Sequence, residues 1–175
     1  MPLAVTHVIL TIVAIDIVRD YVLKKKFPMY FVLIGGIAGL LPDADLPLSW
    51  LLGAFGIDAP IHRVYTHSLL FPFLFLIAAY AFYKINNSKH KIGKIGFDNR
   101  HLSLLFAMIS AGWFIHVLLD CSFMGSEAIS FIPVISTISF CPHIFNSDAA
   151  IGLDAVILLG WLIHEQVRHK IKDYI

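Results

Sequence analysis

Five apolar stretches dominate the chain and leave it few ways to fold. Residues 3–22, 29–41, 64–83, 102–120 and 149–167 are each close to uniformly hydrophobic. A helix that crosses a bilayer needs about 20 mostly apolar residues, because hydrocarbon offers no partner to an unpaired backbone group. Four of the stretches approach that length. The 29–41 stretch is short and carries Gly35, Gly36 and Gly39, which suits a short or partly re-entrant helix packed closely on its neighbours. Charged residues make up only 14% of the chain and the mean hydropathy is +0.80. A soluble domain carries about a quarter charged residues, so the composition belongs to a membrane protein. The expected architecture is all-α: one integral membrane domain over 1–175, a polytopic bundle of about five spanning or partly spanning helices.

Basic residues orient the bundle. Lys and Arg concentrate in cytoplasmic loops. The turn around Arg19 and Lys24–Lys26, the 84–101 loop and the C-terminal tail hold twelve of the thirteen basic residues, leaving Arg63 on the other side. Five spans then place the N-terminus outside and the C-terminus in the cytoplasm, as expected of a multi-pass plasma (inner) membrane protein. Net charge is +1 with His neutral, and no DNA-binding motif is present, so no nucleic-acid partner is expected. No cleavable signal peptide is evident, since no basic region precedes the first apolar run.

Two segments do not read as spans. Residues 46–61, with Pro47, Gly53 and Pro60, suit a loop or interfacial helix. Residues 121–148 are apolar but broken by Gly125, Pro133 and Pro142, which suits a re-entrant or interfacial cap. Cys121 and Cys141 fall in the outer segment, where a disulfide is permitted. Their spacing alone does not call for one.

The potential metal ligands lie on the side opposite the lysines. His116 and Asp120 are four apart, so on a helix they share a face and can hold one ion or orient one another. Asp43 and Asp45 follow Pro42, which should end the short second helix and leave them on extended or turn backbone, pointing apart. One is then expected to be a ligand and the other to support a neighbour. His62, Arg63, Thr66, His67 and Ser68 form the densest polar constellation. Thr66 or Ser68 suits an N-cap for the third span, and the Arg63 guanidinium suits a phosphate or carboxylate. His7 in the outer part of the first span lies level with these groups. Asp148 and Asp154, near the outer end of the fifth span, are further candidates. Asp16, His90, His101, His164 and His169 fall on the inner half or inside and are set aside.

The run Gly39-Leu40-Leu41-Pro42-Asp43-Ala44-Asp45, then His62-Arg63 and Thr66-His67-Ser68, then His116 and Asp120, resembles the membrane-bound metal-dependent hydrolases described in bacteria as LexA-binding, inner-membrane-associated hydrolases. The resemblance covers His7 to Asp120. A fainter one reaches zinc-dependent phospholipase C and the single-strand nucleases of its fold, whose ligands follow the order His, Asp, His, His-x-x-x-Asp, His-x-x-x-Glu. Here His7, Asp45 or Asp43, His67, His116 and Asp120 occur in that order. The later His-x-x-x-Glu is missing, because His164 and Glu165 are adjacent, and so is the N-terminal Trp ligand. One or two ions are therefore expected rather than three.

These readings combine into an expected membrane-embedded metal-dependent hydrolase, acting on a phosphoester in a lipid or lipid-linked, amphiphilic substrate at the outer face. His7, Asp45, His67, His116 and Asp120 are the expected ligands, with His62, Asp148 and Asp154 in reserve. Asp43 is expected as second support or general base, Arg63 as the anion clamp, and Thr66 and Ser68 at the substrate. Zinc suits mixed His and carboxylate donors, with manganese as the other choice; such an ion lowers the pKa of its water to about 7 and stabilises phosphoryl charge. The rivals are a cation-binding transporter using the same residues and a non-enzymatic membrane scaffold that binds partners.

Overall fold

In a computed structural model, residues 4–24, 27–57, 65–87, 99–124, 130–132, 136–137, 141 and 147–168 are described. Six α-helices account for most of them: α1 (Ala4–Ile17), α2 (Tyr30–Ala38), α3 (Asp45–Ala54), α4 (Leu70–Asn87), α5 (Asn99–Met124) and α6 (Ser147–Arg168). A π-helical turn, Val18–Val22, extends α1, and a 3-10 turn, Pro42–Ala44, leads into α3. The all-helical expectation needs one small amendment within the 121–148 segment. There β1 (Ser130–Ile132) and β2 (Ser136–Thr137) form an antiparallel pair.

Several element boundaries differ from the sequence expectation. Pro42 does not stop helical structure. It occupies the first turn of the 3-10 helix, where a missing N–H costs nothing. Asp43 and Asp45 therefore lie on helical rather than extended backbone. The 46–61 segment begins as α3, with Pro47 tolerated in its first turn. The third stretch becomes helical only at Leu70, six residues later than expected. Of the described helices, only α5 is by itself long and apolar enough to cross a membrane. α2 and the Pro42–Ala54 segment meet that test together, bent by 50°. The apolar parts of α4 and α6 are shorter, at Leu70–Ile85 and Ala155–Val167.

α5 is the central helix, packing on both α4 and α2, and α1 packs on α2. The α2–α5 crossing is made possible by glycine. A Cβ on Gly112 would run into the Gly35 carbonyl and lie 2.9 Å from both Ala38 Cβ and the Gly39 nitrogen. Close approach through small residues is how helices associate where burial from water supplies no drive. Beside this crossing Ile12, Ile15, Phe31, Val32 and Met108 form one core cluster. Trp113, Val117 and Cys121 form a second with Phe71 and Phe75 of α4. Ser110 Oγ donates to the Pro72 carbonyl at 2.7 Å and Ser103 Oγ to the Ala79 carbonyl at 2.8 Å, tying α5 along α4.

The surface is unusual for its apolarity. Phe73, Leu76, Ile77, Tyr80 and Tyr83 on α4, and Val156, Leu159, Ile163 and Val167 on α6, are all exposed. The polar groups are inverted relative to a soluble protein. His7, His67, His116, Ser68 and Asp120 are fully or almost fully buried.

Candidate metal centre

Four chain segments deliver the buried polar groups to one end of the bundle. His7 comes from the first turn of α1, Asp43 from the 3-10 turn after α2, His67 from the turn before α4, and His116 with Asp120 from the last third of α5. The i,i+4 spacing of His116 and Asp120 puts both on the face turned towards the other three. The basic residues Arg19, Lys84 and Arg100 lie at the opposite ends of their elements.

The distances converge on a common point. His67 Nε2 is 3.2 Å from Asp120 Oδ2 and 3.2 Å from His116 Nε2. His116 Nε2 is 3.6 Å from the same Asp120 oxygen. Asp43 Oδ1 lies 3.4 Å from His67 Nε2 and 3.7 Å from His116 Nε2. His7 Nε2 is 3.5 Å from Asp120 Oδ1, and its ring stacks on His116 with centroids 3.9 Å apart.

Hydrogen bonds on the far sides of the rings fix what faces this point. His116 Nδ1 lies 2.6 Å from the Gly39 carbonyl, which only accepts, so the ring proton sits on Nδ1 and the Nε2 lone pair faces inward. Thr66 Oγ1 donates to Asp45 Oδ2 at 2.6 Å, so its oxygen is left to accept from His67 Nδ1 at 3.1 Å. The neutral His67 ring therefore also turns a bare Nε2 inward. Trp113 Nε1 donates to the Thr66 carbonyl at 2.9 Å and pins this turn to α5.

His67, His116 and Asp120 thus bring one ligand atom each within 4.8 Å of one another, and His7, Asp43 and His116 do the same. Asp43 Oδ1 and both Asp120 oxygens are buried and make no hydrogen bond among the described residues, lying instead 3.2 to 3.5 Å from imidazole nitrogens of His67 and His7. Uncompensated burial of carboxylates costs several kcal/mol per ion, so the cluster calls for positive charge, which a bound cation or a proton on an imidazole can supply. Two donors on one tetrahedral zinc, each at 2.0–2.1 Å, are separated by about 3.3 Å. The observed separations of 3.2 to 3.7 Å among His67, His116, Asp43 and Asp120 match that requirement. The donor set fits a divalent ion.

Protons balance the charge when no ion does. His67 lies in the turn that precedes α4. Burial disfavours the His67 imidazolium, but its contacts with Asp120 and Asp43 outweigh burial and raise its pKa to about 9. At 3.4 Å the Asp43–His67 contact is an attraction between charges rather than a short hydrogen bond.

The two aspartates exchange the places expected of them. Asp43 points into the cluster, whereas Asp45 lies behind it, holding His67 through the Thr66 hydroxyl. The reason is the helical backbone, on which residues two apart diverge by about 200°. Thr66 faces Asp45 rather than a substrate. Ser68 is fully buried and its hydroxyl has no partner among the described residues. His62 and Arg63 lie outside the described residues. Asp148 and Asp154 fall on α6, with side chains outside the described set. The Gly39 carbonyl and Trp113 are site components that sequence reasoning missed. The only signal for Gly39 was its place in a small-residue helix, and for Trp113 its position one turn before His116.

Beside the cluster Cys121 and Cys141 form a disulfide, which ties the segment after α5 to its last turn. The sequence model of the family described as YdjM inner membrane protein matches residues 1–172. The chain belongs to that family. Membership places it among inner membrane proteins and accounts for the apolar exterior. No curated protein and no solved structure matches the chain.

Proposed function

We propose that this YdjM-family protein is a multi-pass inner-membrane hydrolase that uses a divalent ion to cleave a phosphoester in a lipid or lipid-linked substrate at the outer face. The observation that carries the reading is the convergence of His67, His116, Asp43 and Asp120 at ion-sharing distances, with both imidazole protons committed elsewhere. In this reading His67, His116 and Asp120 would hold the ion and leave a position for water, Asp43 would lie beside it as the proton acceptor, and His7 would join through Asp120 or serve a second ion. Zinc or manganese suits the donors.

When bound, the ion supplies Lewis-acid polarisation of a phosphoryl oxygen and acidifies water. The chain's own residues do the rest. Asp43 is the member of the cluster with an exposed edge, its side chain 19% accessible against 0–2% for the others. It is therefore the group that can take a proton from an entering nucleophile. Gly39, Thr66 and Asp45 hold the imidazoles in the ligand tautomer. Arg63, four residues before His67, is assigned to the substrate's anionic group.

Five membrane-crossing segments, with the N-terminus and the site outside and the C-terminus in the cytoplasm, complete the proposal. Two features support that topology: the described basic residues Arg19, Lys24, Lys84 and Arg100 lie at the ends of their elements remote from the cluster, and the disulfide suits an oxidising compartment. The test is phosphate or headgroup release from phospholipid in nanodiscs by zinc- or manganese-loaded protein. Activity lost in His116→Ala supports the proposal, and equal release by that variant contradicts it.

One observation favours a second reading, cation transport. His7, Thr11 and Asp16 are buried at successive levels of α1, from the cluster towards the other end of the helix. Ion flux into proteoliposomes without hydrolysis would establish it.

A further inference from the structure

A slot between α4 and α5 begins beside the cluster and runs away from it. Its volume is about 620 Å³, within the range of roughly 300–1,000 Å³ usual for ligand sites. Leu69 and Leu70 in its wall closely follow His67, and Phe114 stands two residues before His116. From there the slot extends to Leu76 on α4 and to Ala107 on α5. Ala107 and Phe114 are separated along the α5 axis by about 10 Å.

The lining limits what can lie there. Pro72 and Ser110 are buried at the floor, while Phe73, Leu76 and Phe114 stand exposed as a rim. Ala107 and Ala111, four apart on one face of α5, leave the space between open. No side chain in the wall is charged, and the Ser110 hydroxyl is spent on the Pro72 carbonyl at 2.7 Å. A polar group entering the slot would lose its hydrogen bonds without replacement. A hydrocarbon chain loses nothing and gains close contact with both walls. The chain belongs to an inner-membrane family, so such chains are the surrounding medium.

We propose that the slot holds an acyl chain of the lipid whose phosphoester lies at the His67–His116 cluster. The proposal deepens the hydrolase reading and rests on it for the position of the headgroup. With the cluster at the outer face, the slot descends through most of one leaflet, whose hydrocarbon is about 15 Å deep, half of the bilayer core. Polar centre and apolar slot then follow one another in the order of a phospholipid's own headgroup and chain.

Photo-cross-linking of the full-length protein in nanodiscs tests the slot. The discs are phosphatidylcholine doped with a phosphatidylethanolamine that carries a diazirine midway along one acyl chain, and peptide mass spectrometry locates the label. Bulk lipid touches every exposed apolar residue, so Val156, Leu159, Ile163 and Val167 of α6 serve as the reference. Labelling within residues 69–76 and 107–114 should exceed that of α6 at least threefold. Ala111→Leu, which fills the slot, should bring it down to the reference level. Should that variant fail to fold, Phe73→Ala/Leu76→Ala, which removes two exposed rim side chains, should at least halve the excess. Equal labelling of the three helices in the wild type, or an excess that survives these substitutions, overturns the proposal. So does a second copy of the chain in the slot, trapped through Phe73→Cys. The readout needs no turnover. Preferential labelling without headgroup release would count against the hydrolase reading alone, and headgroup release with uniform labelling against the slot alone.

Discussion

Thr66→Val isolates the support of the metal centre from the centre itself. Valine matches threonine in shape but cannot donate to Asp45 or accept from His67 Nδ1, the contacts observed at 2.6 and 3.1 Å. His67 then loses the bond that fixes its tautomer, inside a site where it is fully buried. A hydrogen bond to a charged group contributes about 1.5–3 kcal/mol. Loss of an outer partner of a metal-bound histidine weakens metal binding by roughly 10- to 100-fold, which is about 1.4–2.7 kcal/mol. The two routes agree. Zinc affinity of purified protein, measured by competition with a chromophoric chelator, should therefore fall by one to two decades in Thr66→Val. Asp45→Asn should fall by a similar amount and Asp43→Asn by more, because only Asp43 reaches the cluster. Wild-type affinity in Thr66→Val, or a larger loss in Asp45→Asn than in Asp43→Asn, would refute the assignment of inner and outer aspartates.

Protons and metal should compete. His67 titrates at about 9 in the ion-free site against an ordinary 6.5. The ion-free protein therefore draws stability from this group that is complete below 6.5 and disappears as pH rises through about 9. Zinc affinity moves the other way, rising by about tenfold per pH unit up to about 9 as one proton is displaced; a flat affinity profile between pH 7 and 9 would contradict this. At the α2–α5 crossing, Gly112→Ala must push two backbones apart and should destabilise the protein by about 1–3 kcal/mol. It should also weaken metal binding, because Gly39 holds His116; unchanged unfolding and affinity would show the contact to be slack. Replacing Cys121 and Cys141 by serine opens a loop of 20-residue separation, worth about 3 kcal/mol. A melting temperature insensitive to that double change would show that the bridge does not hold the segment after α5.

The sequence made the helical build and the membrane character legible because its strongest signals are apolar length and sparse charge. Apolar length, clustered lysines and the isolation of His7, His67, His116 and Asp120 at one end follow from the cost of placing charge in hydrocarbon. Their convergence was visible before any coordinates. The detail around Asp43 and Asp45 was not. It turned on whether Pro42 ends a helix or opens a turn, and proline permits both. The late start of α4 at Leu70 escaped notice because Val64, Tyr65 and Leu69 continue the apolar run without a stop signal. Thr66 looked like a cap or a substrate contact. Its actual partner, Asp45, lies 21 positions away, and no local pattern reports such a pair.

The most direct test of the central claim is metal content. Elemental analysis of the purified protein in detergent should find bound zinc or manganese in the wild type. In a His116→Ala/Asp120→Asn variant that remains folded, the equivalent held by this cluster should disappear. A folded wild type that contains no divalent metal and cannot be loaded with one would contradict the account. So would a variant that retains the wild-type equivalents.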